Sequence, residues 1–199
     1  DLPWLEPAPA APPARPAFVV LSTLAPRKNH LLLLHLWKEL SRRDDAPELL
    51  LIGRRGWENA TAFQMLDRTD FRGRVRELGR LEDAEAAAVL RNATALLFPS
   101  LAEGYGIPLA EALALGVPAI ASDIPPFREI GGTVPDYLHP LDGPGWLRAI
   151  GDYAAPASPR RAAQLARLPG WQAPTWPAHV AAVEGFLATL PGGKPMAAH

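Results

Sequence analysis

Two carboxylates and two cations stand out in this 199-residue chain as side chains whose spacing suits chemistry. Glu103 and Glu111 are separated by seven residues within P-S-L-A-E-G-Y-G-I-P-L-A-E-A-L-A-L-G, residues 99–116. Arg27 and Lys28 sit together in S-T-L-A-P-R-K-N, residues 22–29. A loop running into a helix N-terminus offers free amides and partial positive charge, which suits a phosphate. Carboxylates repel phosphates, so a ligand here must give Glu103 and Glu111 neutral hydroxyls to accept from, as a sugar or ribose does. Gly104 and Gly106 lack a Cβ and let the backbone come close to such a ligand. A plainer reading stays open: Glu in a first helical turn complements the dipole, and an Arg-Lys pair in a loop is solvated.

These residues need a scaffold that brings residue 28 to residue 103. Short apolar runs predict parallel, buried strands over 18–21, 48–52, 75–78, 93–98, 117–121 and 137–139. Helical patterns fall between them: 30–42 with Leu32, Leu33, Leu36, Trp37 and Leu40 on its apolar side, a segment ending near 69, and 83–92 with Ala86, Val89 and Leu90 inward. Asn29 is placed to cap the first of these helices. Pro108 opens a helix over 108–115 that Gly116 closes. Ser122–Glu129 reads as a loop into a short helix, with Asp123 a capping or turn residue. Helices over 146–153, 159–168 and 176–190 complete the chain. Alternating strands and helices predict an α/β fold, a Rossmann-like parallel sheet with helices on both faces in the order 3-2-1-4-5-6. Ligands of such sheets sit beyond the strands' carboxyl ends where the order reverses, between the loops after strands one and four. Lys28 and Glu103–Glu111 then meet at one crevice.

Length and a 48% hydrophobic content suit one domain with a single substantial core. A formal net charge of −1, without blocks of like charge, argues against a nucleic-acid partner. No cysteine is present, so disulfides and thiolate metal sites are excluded, and no carboxylate cluster resembles a metal site. No apolar run approaches a membrane span. Many of the 23 prolines sit at the two ends, which divides the chain into a proline-rich linker (1–16), a domain (17–190) and a flexible tail (191–199).

The string Glu103-Gly104-Tyr105-Gly106-Ile107-Pro108-Leu109-Ala110-Glu111 resembles the E-x7-E signature of retaining glycosyltransferases of the two-domain GT-B fold, in the large family that includes bacterial mannosyl- and rhamnosyltransferases. The resemblance covers about residues 17–190 and implies the C-terminal, donor-binding half alone. It implies that Lys28 reaches the donor diphosphate, with Arg27 beside it, that Glu103 contacts the transferred sugar and that Glu111 holds the ribose. It implies contacts from the rest of the string, from the strand-end loop at Gly53-Arg54-Arg55-Gly56-Trp57, and from Gly79, Arg80 and Leu81 at the base. Arg54 and Arg55 read equally as a surface loop, Gly79–Leu81 as a plain strand end, and Trp57 as packing.

Thr23 stands where many members carry an arginine, and the resemblance implies that its hydroxyl, or Arg27, takes over that donor contact. His139, where the family often has aspartate, reads as structural. No cofactor or metal is implied beyond a nucleoside diphosphate sugar, GDP-mannose as the first expectation. An N-terminal acceptor-binding domain is the implied partner, and the cytoplasm, at the inner face of the plasma membrane through that half, the implied location. The final helix, with Val180, Val183, Phe186, Leu187 and Leu190 at helical spacing, is either core or an interface to the other half. A GT-B epimerase or phosphorylase shares the architecture, and a non-catalytic Rossmann-like module that binds a protein is the alternative from another class.

Overall fold

The computed structural model describes residues 13–190. The expected linker up to residue 12 and the expected tail over 191–199 lie outside the described residues. Six strands, β1 (Ala17–Leu21), β2 (Glu48–Ile52), β3 (Val75–Gly79), β4 (Ala95–Phe98), β5 (Ala119–Ser122) and β6 (Asp136–Leu138), form one sheet ordered β3-β2-β1-β4-β5-β6. Every pairing is parallel, as the predicted order requires.

Successive residues of a strand point to opposite faces, and here both faces are covered. Phe18, Val20, Leu49, Leu51 and Leu97 pack under α1 (His30–Leu40), α2 (Ala60–Arg68) and α6 (Gly143–Ala154). Val19, Leu50, Ile52, Leu96 and Phe98 pack under α3 (Asp83–Arg91), α4 (Ile107–Ala114) and α5 (Pro125–Gly131). Burial on both sides is why these strands read as continuous apolar runs.

Several expected boundaries move. α4 begins at Ile107 with Pro108 in its second position, because Gly106 (φ 111°) takes the N-cap and turns the chain. Gly116 then carries φ 72° just past the helix end, as expected of a C-terminal glycine. β4 starts at Ala95, and just before it Thr94 N donates to Ala17 O at 2.7 Å while the Thr94 hydroxyl accepts from Ala17 N at 3.1 Å, which ties the strand entry to β1. Along α1, Leu34 is fully buried and Leu32 only half-buried, a small rotation of the expected apolar side.

α7 (Pro159–Arg167) is fixed by a wholly buried amide: Gln164 Nε2 donates to Ala119 O (2.7 Å) and Val134 O (3.0 Å), and its Oε1 accepts from Ala119 N (2.9 Å). α8 (Trp176–Ala188) buries no residue, and its Val180, Val183, Phe186 and Leu187 are exposed. Its apolar stripe is therefore not part of this domain's core.

Candidate functional site

β1 and β4 lie side by side at the reversal of strand order, so the loops at their carboxyl ends face one another. The loop after β1 is stitched to its neighbours. Ser22 N donates to Ile52 O (2.9 Å), Leu24 N to Arg54 O (2.9 Å) and Gly56 N to Leu24 O (3.2 Å), which carries the β1–β2 pairing past the strand ends. Gly53, at φ 143°, has no space for a side chain because a Cβ would strike the Ser22 carbonyl. A 3-10 turn over Pro26–Lys28 follows, and Asn29 ends it in the left-handed conformation (φ 56°).

Asn29 does not cap α1 with its side chain. Its Nδ2 instead donates to Pro99 O (3.1 Å) and Pro140 O (2.9 Å), while Leu101 N donates to Arg27 O (2.8 Å). One amide thus pins together the loops after β1, β4 and β6. The expected capping geometry fails because a residue in the left-handed region aims its side chain away from the helix start.

Glu103 is where the loops converge chemically. Its Oε2 accepts from Arg27 at 2.6 Å, its Oε1 from Ser100 Oγ at 2.8 Å, and Lys28 Nζ bonds the same Oε1. Burial alone raises the Glu103 pKa, but the hydrogen bonds from Lys28, Ser100 and Arg27 and the Lys28 charge outweigh it and hold the carboxyl below the usual range. Lys28 is itself buried, 5.3 Å from the Phe98 ring centroid. Phe98 stacks on Phe127 at 4.5 Å, and a Cβ on Gly106 would come within 2.8 Å of the Phe127 ring. An aromatic pair thereby spaces the Lys28 ammonium from the turn that opens α4.

Under this loop lies His30, 1% exposed, its Nε2 3.2 Å from Ser22 Oγ. Burial first and the neighbouring Lys28 charge second lower its pKa to about 4. The ring is neutral at physiological pH.

Two clefts open beside this cluster and share Leu21 as a border. The larger, about 580 Å³, is lined by Thr23, Arg27, Lys28, Trp57, Glu58 and Pro108. The smaller, about 210 Å³, is lined by Gly53, Arg80, Leu81, Asp83, Ala87 and Glu111 among others. Glu111 is half-buried, and no described side chain donates to it. Burial, then the charge of Asp83, raises its pKa above the usual carboxylate value. Its acceptor capacity is free for a ligand's hydroxyls.

The remaining candidates divide. Leu109 is fully buried in the core and cannot offer its side chain to a ligand. Tyr105 and Ile107 are exposed, and Gly104 has open space around it. Gly79 (φ 70°) ends β3, and its carbonyl accepts from Gly53 N at 2.7 Å. Pro108 has no N–H and Leu109 N already bonds Gly106 O at 2.9 Å, so the amides of Gly106 and Ile107 remain for an anion at α4.

Arg55 is committed to Asp67 and Glu77 through paired hydrogen bonds of 2.6–3.0 Å, the surface-loop alternative. Trp57 departs from its reading as a packing residue: it is 71% exposed and walls the larger cleft. Two residues before it, Arg55 forms an isolated bridge with Leu24, a long-range contact that local sequence does not carry. His139 is structural, its Nδ1 accepting from Leu141 N and its carbonyl from Trp146 Nε1. Asp123 pairs with Arg128 at 2.8 and 3.0 Å. Among the described residues no three His, Cys, Asp or Glu side chains group to hold a metal ion, and no described helix is long and apolar enough to cross a membrane.

Comparison with known proteins bears on the family and the fold. A serotype-specific mannosyltransferase, WbdA, of Escherichia coli is 33% identical over 122 residues, which is 61% of this chain and 15% of that protein. A phosphatidyl-myo-inositol mannosyltransferase of Mycolicibacterium smegmatis is 37% identical over 106 residues, 53% of this chain and 26% of that protein. The chain thus spans under a third of the length of these relatives. A glycosyltransferase from Rickettsia africae superposes with a TM-score of 0.66 at 15% identity, over 84% of this chain and 50% of that one. Anabaena HepE, solved in complex with UDP-glucose, superposes with a TM-score of 0.64 at 19% identity, over 77% and 42% of the two chains. At these identities the superpositions establish the fold. The family model for glycosyl transferases group 1 matches residues 6–132, more than half of the sequence, and the chain belongs to that family.

Proposed function

We propose that this chain is the donor-binding half of a retaining glycosyltransferase that moves a sugar, mannose as the first candidate, from a nucleoside diphosphate sugar to an acceptor hydroxyl. The observation that carries the reading is the division of labour between the two clefts. Arg27 and Lys28 gather at the larger one, with Pro108 of the α4 entry on its wall, and an unpaired carboxylate waits in the smaller one beside Arg80 and Leu81. A nucleoside diphosphate presents the matching pair, with ribose hydroxyls toward Glu111 and phosphates toward Arg27, Lys28 and the amides of Gly106 and Ile107.

In transfer, the bond from the anomeric carbon to the phosphate oxygen breaks and its electron pair stays on the diphosphate. The acceptor oxygen forms the new bond on the face that the diphosphate leaves, which keeps the anomeric configuration, and its proton passes to an oxygen of the departing diphosphate. Negative charge grows on the leaving group, where Lys28 and Arg27 are already positioned and need no reorganisation to stabilise it. In the ligand-free arrangement Glu103 holds both cations, so an arriving diphosphate competes with its carboxylate for them. Arg27, 56% exposed, is the side chain free to swing, while Lys28, at 11%, is the fixed one. Once a donor is bound, Glu103 lies next to the diphosphate and so near the sugar, where its negative charge steadies positive character at the anomeric carbon.

The acceptor-binding residues lie, in this reading, in a second domain outside this chain, against which the apolar face of α8 rests. Mannosyltransferase names among the relatives support mannose, and the proposed location is the cytoplasm, where activated sugars are held.

Saturation-transfer NMR of this chain with GDP-mannose and with UDP-glucose tests the reading. Saturation of ribose protons by the wild type that vanishes in Glu111→Ala is the expected result. Transfer of equal strength to both proteins contradicts the assignment of Glu111.

A further inference from the structure

The far end of α1 carries a second collection of cations that the donor site does not use. Lys38, Ser41, Arg42, Arg68, Thr69 and Arg72, with Asp70, line a pocket of about 380 Å³. α1 starts at the Lys28 loop, and its 11 residues place this pocket roughly 16 Å away at 1.5 Å per residue, beyond the amino ends of the strands.

Four cations and one carboxylate line the pocket, and two of the four cations are already paired with carboxylates beside it. Part of that charge serves the helix ends: Arg72 donates to Arg42 O at 3.1 Å and pairs with Asp44, and Arg42 pairs with Glu39. Asp70 is turned to the chain, its Oδ1 accepting from Arg72 N at 2.7 Å. Lys38 and Arg68 make no hydrogen bond or ion pair with any described residue, and Asp67 beside Arg68 is taken by Arg55. Ser41, 3% exposed, is among the residues that line the pocket, and its buried hydroxyl has no partner, although a buried polar atom is costly when unpaired.

We propose that this pocket is a second anion site, built for a phosphate monoester group. A dianion matches the excess of cations better than a carboxylate does. The guanidinium of Arg68 offers a fork suited to phosphate oxygens, Lys38 a point charge, and the Ser41 and Thr69 hydroxyls the neutral donors. The group comes from free phosphate or from the headgroup of a lipid with an exposed monoester.

NMR titration of the whole chain with inorganic phosphate tests the site, because Lys38 and Arg68 are exposed and their replacement leaves the core intact. The expected result is saturable movement of the Ser41 and Thr69 amides, with affinity reduced about tenfold in Arg68→Ala and in Lys38→Ala and unchanged in Lys28→Ala. Movement confined to the Lys28 loop, or equal affinity in wild type and Arg68→Ala, overturns it. Sedimentation with phosphatidylcholine vesicles containing about one fifth phosphatidic acid separates the two sources. Capture that Arg68→Ala abolishes assigns the lipid headgroup, and amide movement without capture assigns free phosphate. Capture that is indifferent to Arg68→Ala, with no amide movement, contradicts the proposal.

Discussion

Mild acid should destabilise this domain more than its exposed carboxylates account for, because one buried histidine must acquire a charge. His30 sits beneath the Lys28 loop with its pKa lowered from 6.5 to about 4 by burial and by Lys28. A depressed histidine favours the folded state only while neutral. Its contribution is complete above the unfolded value of 6.5 and is lost as pH falls toward 4. The full difference is about 3 kcal/mol, of which about 2 kcal/mol is gone by roughly pH 5 and almost none at about pH 7.5. Urea unfolding at these two pH values, for the wild type and for His30→Leu, isolates the effect. Leucine is close in volume and carries no proton, so the variant keeps only the pH dependence of the carboxylates. The wild type should lose about 2 kcal/mol more than His30→Leu between the two conditions. Equal losses would refute the reasoning and mean that His30 charges without penalty in the folded protein.

Glu111→Gln should raise Tm at neutral pH, since burial and Asp83 raise the carboxyl's pKa and its ionised form therefore costs stability once pH exceeds that value. The same change should weaken nucleoside binding about tenfold, and a variant that loses both stability and binding contradicts the assignment. Asn29→Ala removes the bonds to Pro99 and Pro140 and leaves alanine at φ 56°, at a cost of about 2 kcal/mol in urea unfolding. Asn29→Gly, which adopts that φ readily, should recover part of this stability while diphosphate binding stays weak; full recovery of binding would show that the amide does not hold the loops. Gln164→Leu should cost about 3 kcal/mol, since it leaves Ala119 N–H and C=O unpaired inside the protein, and a loss under ~1 kcal/mol would mean that the buried ends find other partners.

Much of the fold was legible because each strand is a short apolar run between turn residues, and a sheet covered on both faces demands that pattern. The strand order followed from taking the Rossmann-like order for an alternating α/β chain, and the meeting of the Lys28 loop with residues 99–106 followed from that order. What stayed hidden depends on contacts distant in sequence. Asn29 has the composition of a helix cap, and only the approach of Pro99 and Pro140, 70 and 111 residues away, gives its amide other work. Glu103 was legible as a candidate, whereas its capture by Arg27 and Lys28 required the folded crevice. Leu109 belonged to the motif string, yet its place on α4 turns it into the core. The apolar stripe of α8 looks the same in sequence whether it covers this domain or another, and the structure alone excludes the first case.

The most direct test of the donor-site account is calorimetric titration of this chain with GDP, GDP-mannose, UDP and UDP-glucose, repeated with Lys28→Ala and Glu111→Ala. The account predicts saturable binding of one nucleotide class, weakened about tenfold by each substitution. Binding of a nucleotide with the same affinity in both variants would contradict it, because the ligand would then rest on neither the cation of the first loop nor the carboxylate of α4.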